Sequence, residues 1–169
     1  PQTNAESIPY KKVYKNGIFE IEDGVYSKTY KLPPLNFKTA STDTQQRIAE
    51  AWSVFLGSLP DDVTREITIY NQTIDIMRFQ ENIMIPMKAD SLNGYRAEYN
   101  NMLLEKMSGA KNNLEAVKFI TLSLPAGDIE KATERFAQID HNVIDQVSQI
   151  TKNAPTILSY LDRLELINA

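Results

Sequence analysis

The chain of 169 residues contains no cysteine, which excludes disulfides and thiolate zinc sites and is compatible with a cytosolic setting. It has one histidine, His141, so no second imidazole can complete a metal site. Although His141 follows Asp140, no nucleophile motif accompanies the pair, and its helical spacing reads as a surface or boundary position. Only six glycines occur, and none begins the Gly-x-x-x-x-Gly-Lys-(Ser/Thr) loop that cradles nucleotide phosphates. Gly57-Ser58 and Gly109-Ala110-Lys111 read as helix ends instead. No apolar run approaches the ~20 residues of a membrane span, and the N-terminus lacks the apolar core of a signal peptide. Acidic residues outnumber basic ones, 22 to 18. A net charge of −4 argues against broad electrostatic binding of nucleic acid, so no direct nucleic-acid contact is expected.

The residues that are present describe a globular domain. A hydrophobic content of 42% beside 24% charged residues suffices for a buried core, and the length fits one domain over 1–169. Asp23-Gly24 lies between two alternating segments and predicts a β-hairpin with a type I′ turn. Pairing across that turn sets Ile21 opposite Tyr26 and Phe19 opposite Lys28, with Tyr30 on the same face. Glu20, Glu22, Ser27 and Thr29 then form a wet face.

Downstream, Thr42 and Gln45 predict a capping box before the stripe Ile48, Ala51, Trp52, Phe55, Leu56 and Leu59. Val63, Ile67 and Ile69 alternate with Thr64, Glu66 and Thr68 as a half-buried strand. Residues 74–85 read ambiguously, as a short helix over 75–81 followed by a strand. Leu92, Tyr95, Tyr99, Met102, Leu103 and Met107 predict a second helical stripe, and 114–124 a long strand. Asp128 caps a third helix with the stripe Ile129, Ala132, Phe136, Ile139, Val143, Val147 and Ile150. Pro155 suits the first position of a last helix. The expected class is α+β: an N-terminal hairpin and a mixed or antiparallel sheet covered by three to four helices, mainly on one side.

Few residues suggest chemistry. Glu20, Glu22 and Asp23 are close in sequence, but two belong to a strand face and one to a turn, so they do not converge as a metal or acid–base site. Trp52 falls in the first helical stripe and reads as core, and the five methionines read as gap fillers. Tyr10, Lys11, Lys12, Tyr14 and Lys15 interleave aromatics with positive charge. Two readings of them stay open: an edge strand guarded by lysines, or a contact surface for a partner. No catalytic, metal or cofactor residue is expected.

Pro9 to Ile18 read P-Y-K-x-x-Y-x-x-G-I, and Asp23 to Thr29 read D-x-x-Y-(S/T)-K-(T/S). Glu50 to Leu56, Ile69 to Thr73, Ile83 to Pro86, Arg96 to Leu103 and Leu161 to Ile167 follow in the same order. This ordered set resembles the N-terminal domain of conjugative type IV secretion ATPases, the TraE/TrbE/VirB-type motors, in their Gram-positive mobile-element branch. The resemblance implies a non-catalytic docking domain that couples the motor to the inner-membrane channel for DNA and protein transfer. It implies that ATP and Mg belong to a C-terminal motor domain outside this chain; separately, Pro1 in place of Met suggests an excised or processed chain. The implied partners are other channel subunits, that motor domain and, in a homo-oligomer, further copies. The implied location is peripheral, at the cytoplasmic face of the cell membrane. The alternatives are a free-standing structural or interaction protein of a mobile element, or a hydrolase using carboxylates such as Glu66 or Asp75.

Overall fold

A computed structural model describes residues 9–35, 37–73, 84–109 and 114–168. The described strands are β1 (Lys12–Val13), β2 (Phe19–Glu22), β3 (Val25–Leu32), β4 (Thr64–Thr73), β5 (Leu114–Pro125) and β6 (Thr156–Ile157). The described helices are α1 (Thr42–Ser58), α2 (Asn93–Gly109), α3 (Ile129–Thr151) and α4 (Tyr160–Asn168). The strands form an open antiparallel sheet in the order β1-β2-β3-β5-β4, with β6 pairing β3 beyond the end of β2. The α+β class expected from the sequence is thus the observed one. The chain divides into two compact units, Pro1–Ile69 with Val117–Ala169, and Tyr70–Ala116. The helix expected over 75–81 and residues 82–83 of the strand expected after it lie outside the described residues, as does Asp75, while Met84 and Ile85 are not in a strand.

In the first unit, period-two alternation along β3 and β5 gives the sheet two different faces. Tyr26, Tyr30 and Leu32 share one face with Ile120, Leu122 and Leu124, and α1 and α3 cover it. The helix α3 presents the stripe its sequence predicts: Ala132, Phe136, Ile139, Val143 and Val147 are buried. Its ends are fixed by the Asp128 side chain, which accepts from Lys131 N–H, and by Lys152 in the left-handed conformation at φ 64. The cap of α1 shifts by one residue. Ser41 accepts from Thr44 N–H, while the Gln45 amide reaches back to the Phe37 and Ala40 carbonyls, so the expected Thr42–Gln45 box does not form.

The second face differs from expectation. Ser27 and Thr29 are buried rather than wet, because β6 and α4 return to that side of the hairpin. The hairpin register differs too, through a β-bulge between Glu20 and Glu22. The pairs are Phe19↔Ser27, Glu20↔Tyr26 and Glu22↔Val25, so Ile21 is the extra residue and the strand before it is shifted by one. A one-residue shift exchanges faces. Phe19 therefore sits with Ser27, and Glu20 joins Tyr26, buried instead of exposed. The turn departs from type I′ as well, since Gly24 has φ 73 while Lys152 is the one non-glycine with positive φ among the described residues. α4 starts later than Pro155 suggests. Thr156–Ile157 is a strand, and Ser159 with Asp162 supplies a reciprocal cap: Ser159 N–H donates to Asp162 Oδ2 and Asp162 N–H to Ser159 Oγ.

Gly17 closes the loop before β2 at φ 81, and a Cβ there would stand 2.6 Å from the Leu158 carbonyl oxygen. That obstacle is backbone, so Gly17→Ala combines an unfavourable conformation with a clash. Gly17→Ala is expected to cost about 2–4 kcal/mol, at the upper end for a strained backbone position. Thermal and urea unfolding measure it, and a loss below ~0.5 kcal/mol, the scale of an ordinary surface substitution, would show that the loop rearranges freely.

The second unit is built around backbone capture. Asn100, buried on α2, accepts from Ile85 N–H at 2.9 Å and donates to Ile85 O at 3.0 Å. Asn93 accepts from Lys88 N–H, and Arg96 binds Asp90. These polar residues occupy the inward side of α2. The predicted apolar stripe faces outward, with Leu92, Tyr95, Tyr99 and Met102 exposed.

Candidate functional site

The Tyr10–Lys15 segment enters the sheet through its central residues. Lys12 and Val13 pair with Glu20 and Phe19, making β1 one edge of the sheet. The tyrosines turn inward. Tyr10 packs edge-on against Phe19 with ring centres 5.2 Å apart, and Tyr14 lies 6.4 Å from Tyr26 at the border of the main core. The Tyr14 hydroxyl points to Glu20 at 3.4 Å. Tyr10 and Tyr14 are thus half-buried against the sheet.

The lysines remain outside. Lys11 pairs with Asp23 at 2.8 Å and Lys12 with buried Glu20 at 3.3 Å, while Lys15 is exposed. The hydrogen bond and charge of Glu20 push the Lys12 pKa up, and Lys11 pulls the Asp23 pKa down by the same two means. Glu20, Glu22 and Asp23 do not converge. Among the described residues no group of three His, Cys, Asp or Glu side chains could hold a metal ion.

Two polar centres inside the first unit were not foreseen. Lys28 on β3 is buried and donates to Asp140 Oδ2 of α3 at 2.6 Å, and the fully buried Tyr30 hydroxyl donates to Asp140 Oδ1 at 2.7 Å. Burial first, then the Asp140 charge and hydrogen bond, drive the Tyr30 pKa far above its usual value. On the other face, Arg163 of α4 donates to Gly17 O at 3.0 Å, Ser27 O at 2.7 Å and Ser27 Oγ at 2.9 Å. Its guanidinium also stacks 4.0 Å over the Phe19 ring. Burial lowers the Arg163 pKa to about 10, leaving it charged at neutral pH. A cation at this depth normally has a carboxylate partner; here carbonyls and a ring take that role.

The Tyr30 shift predicts an alkaline signature. The unfolded tyrosine ionises near pH 10, whereas the folded one keeps its proton. Its contribution is therefore complete below about pH 10 and is lost as pH rises further, by up to about 1.4 kcal/mol per pH unit. Urea unfolding between pH 8 and 11 should show wild type losing stability more steeply than Tyr30→Phe; parallel curves would contradict the buried hydroxyl.

The other sequence candidates are separate. His141 is exposed on α3, and Glu66 is exposed on β4. Trp52 is half-buried. It meets Phe55 edge-on at 5.7 Å and borders a cleft of about 400 Å³ with Phe37, Ile48 and Lys118. No helix among the described residues is long and apolar enough to cross a membrane. No protein-family model and no curated protein matches the chain.

Proposed function

We propose that this chain is a non-catalytic docking domain of a conjugative type IV secretion ATPase, attaching the motor to the inner-membrane channel from the cytoplasmic side. ATP and Mg would be handled by a motor domain elsewhere in the parent protein. The observation that carries this reading is where the resembling segments meet. Gly17 lies in the P-Y-K-x-x-Y-x-x-G-I segment, Ser27 in the D-x-x-Y-S-K-T segment, and Arg163 in the last segment, Leu161 to Ile167. Arg163 bonds to both of the others. Three short runs distant in sequence thus have one physical reason to occur together. The lysines of the first segment stand outward along this edge, Lys11 and Lys12 in ion pairs and Lys15 exposed, where the carboxylates of an acidic partner would meet them.

The test uses the full-length parent. Lys15→Glu reverses charge at an exposed position and spares both the Lys11–Asp23 and the Lys12–Glu20 pairs. DNA transfer is expected to fall by ~10-fold or more at unchanged expression, the size of a lost steering or rim contact. Normal transfer removes the segment from docking, and saturable micromolar ATP binding by the isolated chain would overturn the non-catalytic reading.

A further inference from the structure

We propose that β4 is a pairing edge through which two copies of this chain join their sheets. β4 is the last strand of the order β1-β2-β3-β5-β4, and among the described residues β5 is its one strand neighbour. At ten residues it is long for an edge. Sheet edges are usually blunted by lysine, proline or a bulge. Thr64-Arg65-Glu66-Ile67-Thr68-Ile69-Tyr70-Asn71-Gln72-Thr73 contains neither lysine nor proline, and its charges are confined to Arg65 and Glu66 near one end.

The apolar residues of β4 do not fill the core their alternation predicts. Ile67 is 57% and Ile69 60% exposed, although Ile120, Leu122 and Leu124 of neighbouring β5 are buried. Arg65 donates to the Leu59 carbonyl at 3.2 Å at the end of α1, which puts Arg65 on the helix-bearing face. Ile67 and Ile69, two and four residues on, share that face.

The pattern selects a second copy as the occupant. An antiparallel two-fold pair centred on Thr68 sets Ile67 against the partner subunit's Ile69, and Ile69 against the partner subunit's Ile67. Four isoleucines then shield one another on one face. Glu66 falls opposite the partner subunit's Tyr70, an acceptor facing a hydroxyl donor. Arg65 falls opposite the partner subunit's Asn71. The two Arg65–Glu66 pairs stand at opposite ends, so no like charges meet. One patch completing itself through a two-fold axis is the isologous arrangement of most dimers. The backbone groups on the side of β4 away from β5, which pair with no strand among the described residues, supply the hydrogen bonds, as in strand addition generally.

The absence of cysteine makes the register directly testable. Residues opposite each other across an antiparallel pair have Cα atoms ~4.5–5.5 Å apart, within the range a disulfide spans. Thr68→Cys on the axis should give a disulfide-linked dimer under mild oxidation at least ~10-fold faster than Ser53→Cys, exposed on α1. Wild type should sediment as a concentration-dependent dimer. Ile67→Lys with Ile69→Lys, at positions already exposed, should weaken that dimer by ~10-fold or more with the monomer's melting temperature kept. Wild type monomeric at ~0.1 mM, or Thr68→Cys no faster than Ser53→Cys, overturns the proposal. A monomer whose β4 binds only a foreign extended peptide overturns it equally.

Discussion

Arg163→Met is expected to cost about 3–5 kcal/mol in urea unfolding. The loss combines buried acceptors left bare, at about 1–3 kcal/mol each, with a ring–cation contact of about 1 kcal/mol. Methionine keeps most of the volume, so the measurement reports the polar contacts rather than a cavity. The effect is large because of where Arg163 sits. α4 has nine residues, too few to persist as an isolated helix. Its own cap, Ser159 with Asp162, fixes where it begins but not where it docks. Docking falls to Arg163, which joins the Gly17 loop, the Ser27 backbone and the Phe19 ring to one side chain. Arg163→Lys keeps the charge but cannot form the fork, and should lie between wild type and Arg163→Met. A loss under ~1 kcal/mol for Arg163→Met would mean that water replaces the guanidinium and that α4 is held by Leu158 and Leu166 instead.

The α3 stripe was legible in the sequence because one helix buries one apolar face against one sheet face, and spacing alone specifies that arrangement. The Asp23-Gly24 turn was legible for a similar local reason, since glycine accepts a positive φ. The hairpin register was not. Phe19-Glu20-Ile21-Glu22 alternates equally well with or without an extra residue, so the bulge at Ile21 leaves no trace in the pattern. That single slip moved Glu20 inward and Phe19 to the α4 face. α2 misled for a different reason: its apolar residues are correctly spaced, but Asn93, Arg96 and Asn100 bind the backbone and side chains of residues 85–90, so the polar side faces in. Of the candidate segment Tyr10–Lys15, the lysines face solvent as a guarded edge requires, while the tyrosines join the interior. Arg163 carried no signal, because an arginine in Leu-Asp-Arg-Leu-Glu-Leu reads as the solvent side of a helix.

Asp140→Leu is expected to cost about 3–4 kcal/mol, within the range for removing one partner of a buried ion pair. Asp140 Oδ2 takes the Lys28 ammonium and Oδ1 the Tyr30 hydroxyl, so one substitution strands two buried donors. The triple variant Lys28→Met, Tyr30→Phe and Asp140→Leu removes every polar member of the group. It should recover most of the loss, because a well-packed apolar replacement for a buried ion pair is often neutral or better. The three changes must then be non-additive by at least ~1 kcal/mol, as residues sharing one network are. Additive losses would mean that Lys28 swings out to solvent once Asp140 is gone, and that the group stabilises this unit only as separate contacts.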